Sequence, residues 1–392
     1  MKFIPYGKHH IDTDDIEAVI DVLKSGWLTQ GPMVEILENA IASYVGAKYA
    51  VAVSSGTAAL HIAALAAGIE PHETLLTSPI TFVASANAGR YAGAKIAFAD
   101  IDPETINISA TAIESKLQSM DGIKIIVPVH FAGLPCDMER IGVLARQASA
   151  VVIEDAAHAL GAIYPSGKRV GSCENSLMTI FSFHPVKAIA AGEGGLITTN
   201  DEAVYRKLLR LRGHGINKLD DALLQDEWAV ENSLKNPWYY EMQELGFNYR
   251  ITDIQCALAV SQFRKIDNFL ERRKTLAKQY DNAFASQDVI KPAQVSGRDA
   301  SGHHLYVLRA DFGKAGTSRA DFMRQLFSRG IGTQVHYIPV PAHPYYRGLG
   351  FIPEDYPEAL KYYREALSIP FYYDLADDEQ QNVISAMMEL QN

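Results

Sequence analysis

The sequence has few cysteines, no long uninterrupted apolar run and no excess of basic residues. Its three cysteines lie far apart in a chain of 392 residues, without a CxxC pair, which argues against a disulfide framework and a thiolate zinc site and favours a reducing compartment. The most apolar stretch, residues 49–69, is interrupted by Ser54-Ser55-Gly56-Thr57, so it predicts a buried strand and helix rather than a membrane span. Residues 1–15 are polar and lack a signal-peptide core. We therefore expect a cytoplasmic protein that binds no metal and no membrane.

The charge balance and the missing motifs argue against further classes. Lys and Arg number 36 against 46 Asp and Glu, a net charge of −10, which argues against nucleic acid as a partner. No GxGxxG follows the first predicted strand, so a dinucleotide site is not supported. The hydrophobic fraction of 48% and the charged fraction of 21% are ordinary for a soluble globular enzyme, and the length suggests two domains or more.

What the sequence does contain is an alternation of short β-branched runs with helical segments. This alternation predicts an α/β fold with a mostly parallel central sheet between helices. The predicted strands of that sheet cover residues 50–53, 74–78, 95–99, 124–129, 150–153, 177–183 and 196–199. Ligands of such sheets bind beyond the carboxyl ends of the strands, so the residues that follow each run are the candidates for function.

The composition changes after residue 212. A polar excursion over 216–240 has the length of a functional or mobile loop, and a long predicted helix over 254–280 follows it. That helix is the expected link to a smaller C-terminal α/β domain. Two strands are predicted in that domain, at 304–310 and 333–337. The predicted organisation is a large domain at 1–250 and a small domain at 251–392.

One lysine has apolar sequence neighbours and comes shortly after a predicted strand. Lys187 has Val186, Ala188 and Ile189 as neighbours, and desolvation there disfavours a charged amine and makes it available as a nucleophile. This favours Schiff-base chemistry on a carbonyl or on pyridoxal phosphate (PLP). Taken alone, such a lysine more often lays its stem on apolar surface and keeps its ammonium in water.

Three other features lie at strand ends. Ser54-Ser55-Gly56-Thr57 joins a strand to a helix and could bind an anion through free N–H groups, or could be an ordinary N-cap. Asp155 follows a strand and could hold a pyridinium nitrogen protonated, or could be a turn residue. Phe82 could stack on a flat cofactor, although a single Phe is more often a core residue. These features and Lys187 occur in the order that a PLP site on this architecture needs.

Together with neighbouring motifs, these residues identify a resemblance over essentially the whole chain. The sequence resembles the DegT-type PLP-dependent sugar-nucleotide aminotransferases, which have the fold of PLP enzymes of type I: a large domain with a mostly parallel sheet and a smaller α/β domain. The motifs that carry the resemblance lie at 27–32, 55–60, 154–158, 182–187, 192–195 and 248–250. Each is weak alone, and jointly they are specific.

The resemblance implies a role for each matching residue. Lys187 would attach covalently to PLP, Asp155 would pair with the pyridine nitrogen, His158 would lie near the 3-oxygen of the ring, and Phe82 would cover one ring face. The residues implied to hold the phosphate are Ser55, Gly56, Thr57, Ser182 and, from the neighbouring subunit, Asn248. The active site would therefore require a homodimer.

The resemblance also implies a reaction. L-glutamate would supply the amino group, Lys187 would move the proton as general base and acid, and a nucleotide-linked keto sugar would receive the nitrogen. Stretches 78–87, 183–187 and 237–243 resemble most the transaminases of pseudaminic acid biosynthesis, which implies C4 of a UDP-linked 4-keto-6-deoxy-N-acetyl-hexosamine as the acceptor. The candidate substrate contacts, each equally able to be a packing residue, are Tyr6, Thr29, Gln30, His184, Arg250, His336 and Tyr337.

Other functions remain open at this point. The acceptor could be a 4-keto-pentose, a perosamine-type sugar or a 3-keto sugar. A PLP-dependent dehydrase is a further alternative, but relatives with that activity carry His at the position of Lys187. A PLP-binding regulator would need a DNA-binding segment, and none is visible. An aldolase that uses its lysine without PLP would not need Asp155, Phe82 and the phosphate turn together.

Overall fold

The structure is a computed structural model that describes residues 3–217, 223–224 and 227–391, so part of the polar excursion at 216–240 lies outside the described residues. The strands are β1 (Tyr49–Val53), β2 (Thr74–Thr77), β3 (Lys95–Phe98), β4 (Ile123–Val127), β5 (Val151–Asp155), β6 (Met178–Ser182), β7 (Gly195–Thr199), β8 (Val230–Glu231), β9 (Leu234–Lys235), β10 (Ile290–Pro292), β11 (Tyr306–Ala310) and β12 (Ala366–Ile369). The helices are α1 (Thr13–Ser25), α2 (Pro32–Val45), α3 (Gly56–Ala66), α4 (Ala84–Tyr91), α5 (Ala110–Ser119), α6 (Met138–Gln147), α7 (Glu202–Arg212), α8 (Asp253–Phe263), α9 (Ile266–Phe284), α10 (Arg319–Ser328), α11 (Pro344–Gly348), α12 (Pro357–Glu365) and α13 (Asp377–Leu390).

The central sheet confirms the predicted fold class. Within the described residues it has 7 strands in the order β1-β7-β6-β5-β4-β2-β3. The neighbours from β6 to β3 pair in parallel, whereas β7 is antiparallel to both β1 and β6. Alternate residues of β1 enter two separate cores: Val51 and Val53 pack on one face of the sheet, and Ala50 and Ala52 on the other. Helices cover both faces, which explains why the strands are apolar throughout.

A second, smaller sheet lies in the C-terminal part. Its antiparallel strands run in the order β10-β11-β12, and residues from α9, α10 and α13 form a third core against it. Helix α8, directly after the predicted boundary at 250/251, packs against α1 and α2 of the larger unit. The boundary itself stays a prediction.

Two predicted elements in this part were wrong. The helix predicted over 254–280 is two helices: α8 ends at Phe263 and α9 begins at Ile266. The residues at the break are tied to the start of α1: the Lys265 ammonium pairs with Asp12 at 2.7 Å and with Asp15 at 2.9 Å. The predicted strand at 333–337 is reduced to one bridge between Gln334 and Ser368, and the Tyr337 hydroxyl at its end lies 3.2 Å from His158 Nε2.

Smaller differences concern strand and helix ends. Strand β11 begins at Tyr306 rather than at residue 304, and α5, α13, β10 and β12 had no counterpart among the predicted elements. Among the described helices, none has the length and apolar character that a membrane crossing requires. The same residues contain no group of three or more His, Cys, Asp or Glu side chains that could hold a metal ion.

Candidate active site

Three strand ends converge at one edge of the central sheet. Strands β1 and β6 both run antiparallel to β7, and β5 is parallel to β6, so the carboxyl ends of β1, β5 and β6 lie on the same side. The Ser54–Thr57 turn follows β1, Asp155 ends β5, and the loop with Lys187 follows β6 at Ser182. The fold thus brings together the Ser54–Thr57 turn, Asp155 and the Lys187 loop at one edge of the sheet, as the sequence predicts.

The Lys187 loop is held back against the sheet by its own backbone. The Phe183 N–H donates to Gly194 O at 2.9 Å, the Ala191 N–H donates to Phe183 O at 2.8 Å, and the Lys187 N–H donates to His184 O at 2.8 Å. Lys187 is half-buried, and burial of its amine lowers the pKa from 10.5 to about 8, while the Asp155 charge opposes that shift. A useful fraction of this amine is therefore uncharged near neutral pH and can act as a nucleophile.

Asp155 accepts hydrogen bonds at both carboxylate oxygens. The Ser85 hydroxyl lies 2.6 Å from Oδ2, and the Ala157 N–H donates to Oδ1 at 3.1 Å. These contacts leave further lone pairs of both oxygens available for a ligand. Sequence reasoning missed Ser85; its position at the start of a helix that follows a strand end was the available signal.

The neighbouring acid, Glu154, faces the opposite side of β5 and has a different role. The Cys136 N–H donates to His130 Nδ1 at 3.0 Å, so Nε2 of His130 carries the proton and donates to Glu154 at 2.8 Å. Burial alone would raise the pKa of Glu154, but this bond and hydroxyl donors lower it. These hydroxyl donors belong to Ser176, Thr179 and Tyr164. Glu154 is thus fully occupied inside the protein and anchors β5 just before Asp155.

The turn after β1 is tightly packed and keeps free N–H groups. The Ser55 hydroxyl accepts from the Ala58 N–H at 3.1 Å, so the predicted alternative of an N-cap is correct for this residue. The N–H groups of Gly56 and Thr57 belong to the first turn of α3, where no intrahelical acceptor exists. A Cβ on Gly56 would lie 3.0 Å from Ser182 Cβ, and one on Gly195 would lie 2.5 Å from the Ser55 carbonyl. The backbone of Gly195 could not approach the turn this closely with a Cβ, and the approach leaves a helix N-terminus suited to a phosphate.

A group of His and Tyr side chains forms the wall beside Lys187. The Tyr337 hydroxyl lies 3.2 Å from His158 Nε2, and the Tyr6 ring lies 5.6 Å from the His336 ring. Burial, followed by the Lys187 charge, lowers the pKa values of His158 and His336, so both imidazoles are neutral. Within the described residues the buried Nδ1 of His158 has no hydrogen-bond partner, and such an atom requires one. The structure thus brings Tyr6, His336 and Tyr337 to the site.

The other candidates differ in their exposure and in the elements that they contact. Phe82 is 58% exposed, with its ring 6.4 Å from the Tyr337 ring. Thr29 pairs with Thr252 at the start of α8, and Gln30 follows it in the same loop. His184 and Asn248 are exposed, and Arg250 is half-buried. Sequence reasoning also missed His304, whose ring lies 4.3 Å from that of His158 and for which the sequence offered no signal.

Comparisons with known proteins agree with this geometry. The DegT/DnrJ/EryC1/StrS aminotransferase family profile matches residues 9–388. The chain belongs to this family. It is 40% identical to the spore coat polysaccharide biosynthesis protein SpsC of Bacillus subtilis, over 99% of this chain and 97% of that protein. It is 36% identical to the UDP-4-amino-4,6-dideoxy-N-acetyl-beta-L-altrosamine transaminase of Campylobacter jejuni, over 95% of this chain and 93% of that protein.

Solved structures give the same result. The aminotransferase PseC of Helicobacter pylori, involved in pseudaminic acid biosynthesis, superposes with a TM-score of 0.88 at 29% identity, covering 99% of both chains. The sugar aminotransferase Spr1654 of Streptococcus pneumoniae in its PMP form superposes with a TM-score of 0.88 at 28% identity, again covering 99% of both chains. The predicted family, fold and cofactor are thereby confirmed. This member of the DegT/DnrJ/EryC1/StrS family is a PLP-dependent sugar aminotransferase.

The residues at the strand ends fit PLP. The N-terminus of α3 suits its phosphate, the Lys187 amine suits its aldehyde carbon, and the unpartnered His158 Nδ1 can donate to its 3-oxygen. When bound, PLP supplies a ring that accepts the electron pair left when a proton leaves the neighbouring carbon. The protein contributes the groups that hold this ring and move that proton.

Gly195 should be sensitive to a single methyl group. A Cβ there would lie 2.5 Å from the Ser55 carbonyl, so Gly195→Ala must push the turn away from β7 and tilt its free N–H groups. We expect PLP affinity to fall about tenfold or more, measured by titrating the cofactor-free protein with PLP. Gly348→Ala is the control, because a Cβ at Gly348 meets nothing within 4 Å. Equal PLP affinity in the two variants would contradict this account of the turn.

Proposed function

We propose that the enzyme transfers the amino group of L-glutamate to C4 of a UDP-linked 4-keto-6-deoxy-N-acetyl-hexosamine. The observation that carries this choice of sugar is the match to the Campylobacter jejuni transaminase, whose name contains that sugar type, over 95% of this chain. The match to PseC supports the same pathway. The 40% identity to SpsC, named for spore coat polysaccharide biosynthesis, favours a second candidate, another nucleotide-linked keto sugar. Lys187 argues against a dehydrase.

The proposed cofactor roles follow the chemistry of each side chain. Lys187 would hold PLP through its aldehyde carbon, with loss of the aldehyde oxygen as water, and its free amine would serve as the base for the proton on the carbon that carries the amino group. Asp155 holds the proton on the ring nitrogen, His158 donates to the 3-oxygen, and Phe82 covers the exposed ring face. The proposed phosphate ligands are Ser55, Gly56, Thr57, Ser182 and Asn248.

The proposed substrate contacts differ in their support. Tyr6, His336 and Tyr337 gather beside Lys187 in one wall, which supports a role in substrate binding. Thr29 and Gln30 connect to the site through α8, since Gln255 Nε2 donates to Glu193 O at 2.8 Å beside the Lys187 loop. His184, which is exposed, and Arg250, which is half-buried, are the proposed contacts of the diphosphate.

The proposed functional unit is a homodimer in the cytoplasm. Asn248 is exposed, which supports a contact with the phosphate in the neighbouring subunit, and three free, buried cysteines suit a reducing compartment.

Lys187→Ala and Asn248→Ala subunits, each inactive alone, should restore activity when they are mixed and form heterodimers. Mixed dimers then contain one intact site, so activity should return to about a quarter of the wild-type value. No recovery after verified subunit exchange would contradict a shared site.

The substrate is tested in two half-reactions with purified protein. L-glutamate should abolish the long-wavelength absorbance band of bound PLP and yield 2-oxoglutarate. Keto sugars are then screened for return of that band: the UDP-4-keto-6-deoxy-N-acetyl-hexosamine of the L-series, its C5 epimer and a 4-keto-pentose. We expect the L-series hexosamine to restore the band fastest, with a C4 amine in the product by NMR. Preference for the C5 epimer or for the pentose would contradict the proposed acceptor.

A further inference from the structure

The hydroxyl groups of Thr81 and Ser85, on either side of Phe82 in the sequence, form a line of hydrogen bonds that ends at Asp155. The Thr81 hydroxyl lies 2.7 Å from the Ser85 hydroxyl, which lies 2.6 Å from Asp155 Oδ2. All three side chains are buried, with exposed fractions of 2% for Thr81, 0% for Ser85 and 6% for Asp155. Hydrogen bonds in such surroundings are strong, and a misdirected one is costly.

Which hydroxyl donates and which accepts follows from the carboxylate of Asp155 at the end of this line. An ionised carboxylate only accepts hydrogen bonds, so Ser85 must donate its single proton to Asp155. The Ser85 oxygen is then an acceptor, and Thr81 must donate to it. The order of donation is therefore Thr81 to Ser85 to Asp155.

Ser85 has a competing acceptor, which gives Thr81 a function. The Ser85 hydroxyl also lies 3.4 Å from the carbonyl oxygen of Phe82, which precedes α4 by two residues. One proton cannot serve both acceptors well. A donor on the Ser85 oxygen strengthens its bond to Asp155 and favours the shorter of the two contacts. Thr81 thus selects the direction of the Ser85 hydroxyl.

We propose that Ser85 is a positioning residue for the contact between Asp155 and the ring nitrogen of PLP, with Thr81 orienting Ser85. Together with the Ala157 N–H on Oδ1, Ser85 fixes the rotation of the carboxylate. The inference rests on the proposed role of Asp155. It also links the acid to the ring face, because Phe82 lies between Thr81 and Ser85 in the same segment.

The experiment compares hydroxyl deletions at both positions. Ser85→Ala and Thr81→Val remove one hydroxyl each, and Thr81→Ser retains it. Thr77→Val is the matched control: the Thr77 hydroxyl is also buried, but it donates to Val127 O at 2.8 Å, away from Asp155. Asp155→Asn tests the role on which the inference rests. The readouts are PLP affinity of the cofactor-free protein, the ¹⁵N chemical shift of the labelled ring nitrogen in the bound state, and the melting temperature.

We expect Ser85→Ala to weaken PLP binding about tenfold and to move the ¹⁵N shift toward that of an unprotonated ring. Thr81→Val should move both readouts in the same direction by less, and Thr81→Ser should match the wild type. A change in melting temperature alone, as expected for Thr77→Val, would overturn the inference. If Asp155→Asn leaves both readouts unchanged, the proposed role of Asp155 fails as well; if only Asp155→Asn changes them, the role of Ser85 alone fails.

Discussion

Lys187→Met is expected to abolish amino transfer and, at the same time, to raise the melting temperature of the cofactor-free protein at pH 7. The loss of activity should be about 10⁴-fold or more, because in the proposed mechanism the same amine would bind the cofactor and move the proton. Methionine keeps the length and apolar character of the side chain but carries no charge. The gain in stability arises because a charged amine no longer has to be buried.

The sign of the stability effect follows from the pKa. Burial lowers the pKa of Lys187 from 10.5 to about 8, so below pH 8 the folded protein holds an unfavourable charge that the unfolded chain solvates freely. Between pH 8 and 10.5 the unfolded chain binds more protons at this position, and the penalty declines as pH rises. The advantage of Lys187→Met should therefore be largest near neutral pH and vanish above pH 10.5.

Thermal melts of cofactor-free protein at several pH values, with assays of the loaded enzyme, measure both effects. Lys314→Met is the matched control, because the Lys314 side chain is 64% exposed in the C-terminal part of the chain. This control should change neither turnover nor the pH dependence of melting. A Lys187→Met protein that melts at the wild-type temperature at pH 7 would show that the amine costs nothing when buried.

The parts of the site that sequence could predict are those set by local pattern. Asp155 and Lys187 each follow a short β-branched strand, and the Ser54–Thr57 turn joins a strand to a helix. Because parallel strands end at a common edge, the pattern alone places these groups near one another. Strand alternation also predicts the central sheet, since burial on both faces dictates the composition of its strands.

The parts that sequence could not predict depend on contacts between distant residues. At the break before α9, Lys265 pairs with Asp12 and Asp15, more than 200 positions earlier. The Ser85 hydroxyl reaches Asp155 only after β2 and β5 have paired through β4. Local hydrophobic periodicity contains no signal for the Lys265 ion pairs or for the hydrogen bond between Ser85 and Asp155.

Asp155→Asn is expected to reduce turnover by about 10²–10³-fold, because an amide does not stabilise a proton on the ring nitrogen as a carboxylate does. The substitution has a second consequence at Lys187. The Asp155 charge raises the pKa of that amine against the effect of burial, so its removal should lower the pKa to below about 8. The amine would then be uncharged at lower pH than in the wild type.

The rate at which cofactor-free protein captures PLP measures this shift, since only the uncharged amine attacks the aldehyde. In the wild type the rate should rise with pH and level off above about pH 8, where Lys187 has lost its proton. In Asp155→Asn the plateau should begin at lower pH, whatever the absolute rate. Asp121→Asn, an exposed substitution with the same change in net charge, should keep the wild-type profile. Identical profiles in all three proteins would mean that Asp155 and Lys187 do not share a site, and the assignment of both residues would have to be abandoned.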